Sequence, residues 1–145
     1  MHDRHVLSCG AVSISPDTLE EMRKAAVKAS RHAYAPYSKF KVGAAVLADD
    51  GSIYAGANVE NASFGLTVCA ERNALFQAVS KGAKGVLAVL IYAPVNKPTP
   101  PCGACRQVIN EFGPHADIIS IGEGGASTHH TMSQLLPEAF GPGSF

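Results

Sequence analysis

"GVLAVLIYAPVNKPTPPCGACRQVINEFG", residues 85–113, decides how this chain folds. Its first nine residues (85–93) form a continuous apolar run of strand length between turn residues, the pattern of a central strand buried on both faces. "NKPTPP" (96–101) is a rigid loop, and "CGACRQVINEFG" (102–113) reads as a helix stopped by Gly113 and Pro114. A strand that leads through a loop into a helix is a unit of an α/β fold. The helix opens with Cys102 and Cys105, three positions apart and so on one face of its first turn.

Similar units lie on both sides. Upstream, "TVCAERNALFQAVSKG" (67–82) reads as a helix begun by Thr67 or Val68 and ended by Gly82, with Leu75, Phe76 and Val79 facing inward. "FKVGAAVLAD" (40–49), "DDG" and "SIYAGANVEN" (52–61) read as strand, hairpin turn and return strand. The first helix lies in residues 15–34. Ser15 is its N-cap, Pro16 its first residue, and Asp17, Glu20 and Glu21 suit its positive end. Leu19, Met22, Ala26, Ala29 and Ala33 form its apolar stripe, and Pro36 ends it. Residues 1–14 read as a loose arm.

Downstream, "ADIISI" (116–121) is a strand and "GEGGAS" (122–127) a turn. "THHTM" (128–132) is a short edge strand, and Thr131 with Gln134 fits a capping box. The element order predicts a single domain over residues 15–145. Its class is α/β: a three-layer α/β/α sandwich around one mixed five-stranded sheet.

Composition narrows the function. The 145 residues hold 46% apolar and 17% charged residues, with twelve basic side chains against twelve acidic ones. A neutral chain lacks the electrostatic footprint of a protein that tracks a phosphate backbone, so a small or neutral partner is expected and a nucleic acid polymer is not. No apolar run reaches the roughly 18 residues of a membrane span. The N-terminal "MHDRHVLSCGAVS" lacks the long apolar core of a secretory leader, so a cytoplasmic location is expected. In a reducing compartment Cys9, Cys69, Cys102 and Cys105 point to metal or redox chemistry rather than to disulfides.

Two cysteines rarely complete a zinc site. Cys69 opens the second helix as Cys102 and Cys105 open the third. If both helices pack on one side of the sheet, three thiolates converge where two helix dipoles are positive. Three protein ligands leave the fourth tetrahedral position of Zn²⁺ to water, the catalytic pattern. Glu71, two residues after Cys69, can reach such a water without being a ligand. This is the layout of zinc-dependent deaminases. Two plainer readings compete. One is a closed structural site with Cys9 as fourth ligand. The other is a redox dithiol, weakened because no strand leads into this Cys-x-x-Cys through a short turn.

The stretches "YAPYSKFKVGAA" (34–45), "NVENASFG" (58–65), "TVCAERNALFQA" (67–78), "PCGACRQVINEF" (101–112) and "LLPEAFGP" (135–142) together resemble the cytidine deaminase family. The likeness is to its short-chain homotetrameric branch with three cysteine ligands. It implies one zinc per chain on Cys69, Cys102 and Cys105, with Glu71 as the proton shuttle. It also implies Arg72 hydrogen-bonded to the ligand thiolates, which partly offsets their negative charge. Asn58 and Glu60 would bind the nucleoside, Phe40 would stack on it, and the Ala70 N–H would hold the pyrimidine. The Pro100 carbonyl would sit near the leaving ammonia. Phe140 would reach a neighbouring subunit's site in a homotetramer with shared active sites.

The implied activity is hydrolytic deamination of cytidine and deoxycytidine to uridine and deoxyuridine, a step of pyrimidine salvage. The Glu60 carboxylate favours nucleosides over nucleotides, being a poor neighbour for phosphate. Three positions depart from the family pattern: Phe64 for a frequent tyrosine, Pro100 for Ser or Thr, and Ala57 for a frequent cysteine. A deaminase of modified cytosine nucleosides and a non-catalytic zinc module are the alternatives. His129 and His130 receive no role.

Overall fold

Alternation along the strands sorts the apolar residues onto two faces, and the helices cover those faces. The computed structural model describes residues 13–145. Its strands are β1 (Gly43–Ala48), β2 (Ile53–Ala57), β3 (Val86–Tyr92), β4 (Asp117–Ile121) and β5 (Ser127–Thr131). They form one sheet in the order β2-β1-β3-β4-β5. The β3–β4 pair is parallel and the other pairs are antiparallel. The α-helices are α1 (Pro16–Ser30), α2 (Ala70–Ser80), α3 (Gly103–Phe112) and the single turn α4 (Met132–Leu135).

Ala44, Val46, Val89, Ile91 and Ile118 are buried on one face with Leu75 of α2, Ile109 of α3 and Met132 of α4. Ala45, Leu47, Ala88, Leu90 and Ile119 alternate with them onto the other face, against Met22 and Ala26 of α1. The expected three-layer α/β/α sandwich with a mixed five-stranded sheet is what forms. Each large aliphatic side chain buried in this way stabilises the fold by about 1.5–3 kcal/mol.

Two glycines let the helices sit close. A Cβ on Gly43 would lie 1.9 Å from the Ala26 carbonyl oxygen of α1. On the opposite face, a Cβ on Gly56 would lie 2.5 Å from the Ala74 nitrogen of α2. The caps follow the sequence. The Ser15 hydroxyl accepts from the Thr18 N–H at 3.1 Å, and Thr131 and Gln134 complete a capping box.

Four details differ from expectation. α1 stops at Ser30 because the backbone of Tyr34 is taken by a bridge to the chain after β2. The Tyr34 N–H donates to Asn58 O, and the Glu60 N–H donates to Tyr34 O. α2 starts at Ala70, since Val68 exchanges both backbone bonds with Val59, leaving Cys69 as the N-cap. Phe76 is exposed; Ala74 and Ala78 take the inward positions beside Leu75. Ile14, grouped with the arm by the sequence reading, is buried beneath α1. Residues 1–12, Cys9 among them, lie outside the described residues.

Candidate active site

The sheet register brings the two cysteine-bearing helix starts together. Gly43 pairs with Ala57 on one side and with Tyr92 on the other. The C-terminal ends of β2 and β3 therefore lie at the same end of the sheet, on either side of the start of β1. Chains leaving those ends lead to α2 and α3, which both pack on the same face. The crevice outside the carboxyl ends of strands is where open α/β sheets bind ligands.

Cys69 is the N-cap of α2 and Cys102 the N-cap of α3, both with extended backbone. Neither thiol caps its own helix, and the two sulfurs face each other. Cys105, fully buried, completes the cluster from the first turn of α3. The three Sγ atoms lie within 4.8 Å of one another, and Cys69 and Cys102 are 3.8 Å apart. Tetrahedral zinc with Zn–S bonds of about 2.3 Å needs sulfurs about 3.8 Å apart. The donor set fits a zinc ion, and the three thiols are free rather than disulfide-bonded. Among the described residues no other group of three His, Cys, Asp or Glu side chains could hold a metal.

The electrostatics suit a cation. Arg72 Nη2 donates to the Cys69 sulfur at 3.4 Å. The Cys69 thiol is pulled down to about 5, first by the hydrogen bond from the Cys105 thiol and then by Arg72. Giving that proton to Cys69 holds the Cys105 thiol well above its usual range. Arg72 is likewise raised by its bond to the Cys69 sulfur. Glu71 is 5% exposed, and burial pushes its carboxyl up to about 7. A protein that buries a carboxyl two residues from a thiolate cluster, with one guanidinium nearby, has a group suited to moving protons.

The remaining expected residues fall into two groups. The Asn58 side chain is turned inward: its Oδ1 accepts from the Val42 N–H at 2.9 Å and its Nδ2 donates to the Phe40 carbonyl at 2.8 Å. It thus fixes the backbone on both sides of Lys41, and with it Phe40, whose ring packs against the core. Lys39, just before, adopts a left-handed φ of 59°, an uncommon conformation for a lysine. Glu60 Oε1 accepts from the Tyr37 and Ser38 N–H groups at 2.9 and 3.2 Å. Its carboxyl lies below the usual range, chiefly through the Ser38 hydroxyl.

Tyr37, Ser38, Glu60, Phe64 and Thr67 line a cleft of about 400 Å³. Ala70 is buried beside Cys69, and Pro100 is exposed two residues before Cys102. Phe140 lies on the exposed C-terminal segment against Phe145, 6.1 Å between ring centroids. The larger cavity, about 470 Å³, lies on the α1 face between Leu19, Arg23, Leu90 and Ile121 and holds none of the cysteines.

Sequence reading passed over several supports. Asn73 Nδ2 donates to the Ala57 carbonyl at 2.8 Å and ties the start of α2 to the end of β2. Arg106 and Gln107 bond to the main-chain carbonyls of Leu135 and Phe140, far away in sequence. Their signal, two polar side chains directly after a ligand cysteine, has no meaning until their partners are known. His129, unassigned from sequence, bonds Asp117 at 3.0 Å, tying the edge strand β5 to β4.

An open three-thiolate zinc site with a buried carboxylate beside it defines a zinc-dependent hydrolase of the deaminase type. Residues 16–121 match the model of the cytidine and deoxycytidylate deaminase zinc-binding region. The chain belongs to that family. It is 52% identical to the cytidine deaminase of Halalkalibacterium halodurans, over 81% of this chain and 89% of the relative. It is 38% identical to the probable cytidine deaminase of Dictyostelium discoideum, over 88% and 86%. The solved cytidine deaminase from Burkholderia pseudomallei is similar with a TM-score of 0.80 and 44% identity, covering 83% of this chain and 98% of that one.

Proposed function

We infer that the chain catalyses the zinc-dependent hydrolytic deamination of cytidine and deoxycytidine to uridine and deoxyuridine, with release of ammonia. The observation that carries this is three convergent thiol sulfurs at zinc-binding separation with Glu71 buried in the same helical turn. Zinc bound there supplies a water molecule acidified toward neutrality.

The residues then divide the work. Glu71 accepts the water's proton and delivers it to ring N3, which makes C4 electrophilic. As the C4–oxygen bond forms and the C4–nitrogen bond breaks, Glu71 takes the second proton from the incoming oxygen and passes it to the amino group, which leaves as ammonia while N3 keeps the first. Arg72 donates to the ligand sulfurs and offsets their charge. Phe40, held through Asn58, stacks on the nucleoside, and the Ala70 N–H holds the pyrimidine. Glu60 has one oxygen committed to the 37–38 backbone and offers the other to a ribose hydroxyl. The Pro100 carbonyl accepts from the departing nitrogen.

A carboxylate at the sugar opposes a phosphate, so the nucleoside is the substrate rather than deoxycytidylate. Comparing turnover of cytidine and deoxycytidylate tests this; equal rates would remove Glu60 from the sugar site. We further propose a cytoplasmic homotetramer with shared sites, acting in pyrimidine salvage. Support comes from the exposure of Phe64, Leu66 and Phe140, large apolar side chains near the cleft or on the tail.

A further inference from the structure

Just past the last zinc ligand, two side chains reach toward the C-terminal segment. Arg106 follows Cys105 directly in α3. Its Nε donates to the Pro101 carbonyl at 2.8 Å, and its Nη1 donates to the carbonyl of Leu135, the last residue of α4, at 2.9 Å. Gln107 Nε2 donates to the Phe140 carbonyl at 2.9 Å. These acceptors lie in loops or at a helix end, where regular structure leaves carbonyls open.

A guanidinium is a planar fork, so it fixes the orientation of both partners at once. Pro101 directly precedes Cys102, and the fork therefore fixes the peptide leading into the ligand turn. At its other tine, Leu135 and Leu136 pack against the main core, which anchors the segment. The chain runs from that anchor to the Gln107 tether at Phe140. Asn110, one turn beyond Arg106, borders the next residue: a Cβ on Gly141 would lie 3.8 Å from Asn110 Nδ2. One side of α3 thus holds the C-terminal segment, while its first turn holds two metal ligands.

We propose that Arg106 and Gln107 are positioning residues that join the zinc-ligand turn to the C-terminal segment, so that Cys102 and Phe140 are held by one rigid element. The kinetic consequence rests on the reading of Phe140 as a nucleoside contact; the tether does not. Removing the tether frees the segment. Removing the fork also loosens the Pro101 peptide, which touches the geometry of the reaction itself.

The test compares zinc-loaded wild type with Gln107→Leu and Arg106→Lys. Leucine removes the amide donor at an exposed position, and lysine keeps the charge without the fork. Amide exchange at Leu136, whose N–H is held by Met132 O, and at Gly141, held by Ser144 Oγ, should quicken about tenfold, at Leu136 in Arg106→Lys and at Gly141 in Gln107→Leu, with β1 and β3 unchanged and zinc still bound. Gln107→Leu should raise the KM for cytidine about tenfold with kcat held, the mark of lost uniform binding. Arg106→Lys should lower kcat about tenfold as well. Unchanged exchange at both Leu136 and Gly141 would overturn the tether. Faster exchange with unaltered kcat and KM would overturn the positioning role. A wild-type protein that leaves cytidine intact would overturn the deaminase reading, and exchange would still decide the tether.

Discussion

Glu71 and Cys102 sit 31 positions apart in the chain and have different proposed roles, which substitution separates. Glu71→Gln keeps the shape and the zinc but removes the proton acceptor. Turnover should fall by about 10²–10⁴-fold with metal content unchanged, as read by cytidine absorbance and metal analysis. Full activity in that variant would take the proton transfers away from Glu71. Cys102→Ala leaves two sulfurs where three are needed. Metal should be lost and thermal stability with it, because metal binding is also folding energy. An intact zinc stoichiometry would contradict the ligand set.

This cluster was legible in the sequence because its chemistry is local. Cys69 and Glu71 are two residues apart, and Cys102 and Cys105 three, so each pair falls on one helical turn before any tertiary structure is known. Asn58 was not legible in the same way. Its amide closes on Phe40 and Val42 across the β1–β2 hairpin, a partnership set by the register and not by spacing.

At the scale of elements, the close seating of the helices makes a sharp prediction. Gly43→Ala places a methyl against the backbone of α1, which can yield only by moving the helix. The cost should be about 1–3 kcal/mol of stability, measured by denaturant unfolding, and Gly56→Ala should behave alike against α2. Gly65→Ala, with nothing within 4 Å of its Cβ, is the control and should stay within about 0.5 kcal/mol. A wild-type midpoint for Gly43→Ala would contradict the packing.

The β4–β5 pair adds a pH dependence. Burial holds the Asp117 carboxyl above the usual aspartate range, against the opposing pull of His129. The folded state therefore keeps this proton to higher pH than the unfolded chain does. The contribution of Asp117 is fully present below its unfolded pKa and is lost as pH rises through the folded value. Asp117→Asn should flatten that part of the stability profile, and an unchanged slope would remove the group from it.

Elements themselves were read well where apolar periodicity was strong, as in α3 and β3. They were misread where long-range backbone pairing overrode it. Tyr34 and Val68 both look helical in sequence, yet each gives its backbone to the segment after β2.

For the whole molecule, the exposed aromatic and aliphatic side chains predict assembly. Phe64 is 72% exposed, Leu66 66% and Phe140 65%, apolar surface that the proposed tetramer would cover. Sedimentation should show a tetramer, and Phe140→Ala should weaken cytidine binding. A stable, fully active monomer would contradict the shared site. This level was the least legible, since an outward-facing phenylalanine on a tail carries no periodic signal.

The proposed activity requires the cysteine cluster to be an open, catalytic zinc site. The most direct measurement purifies the chain without added metal, counts zinc in the sample, and follows the ultraviolet spectrum of cytidine with the same protein. An open catalytic site should give one zinc per chain together with conversion of the cytidine spectrum to that of uridine. A metal-free protein, or one holding zinc that leaves both cytidine and deoxycytidine untouched, would contradict it.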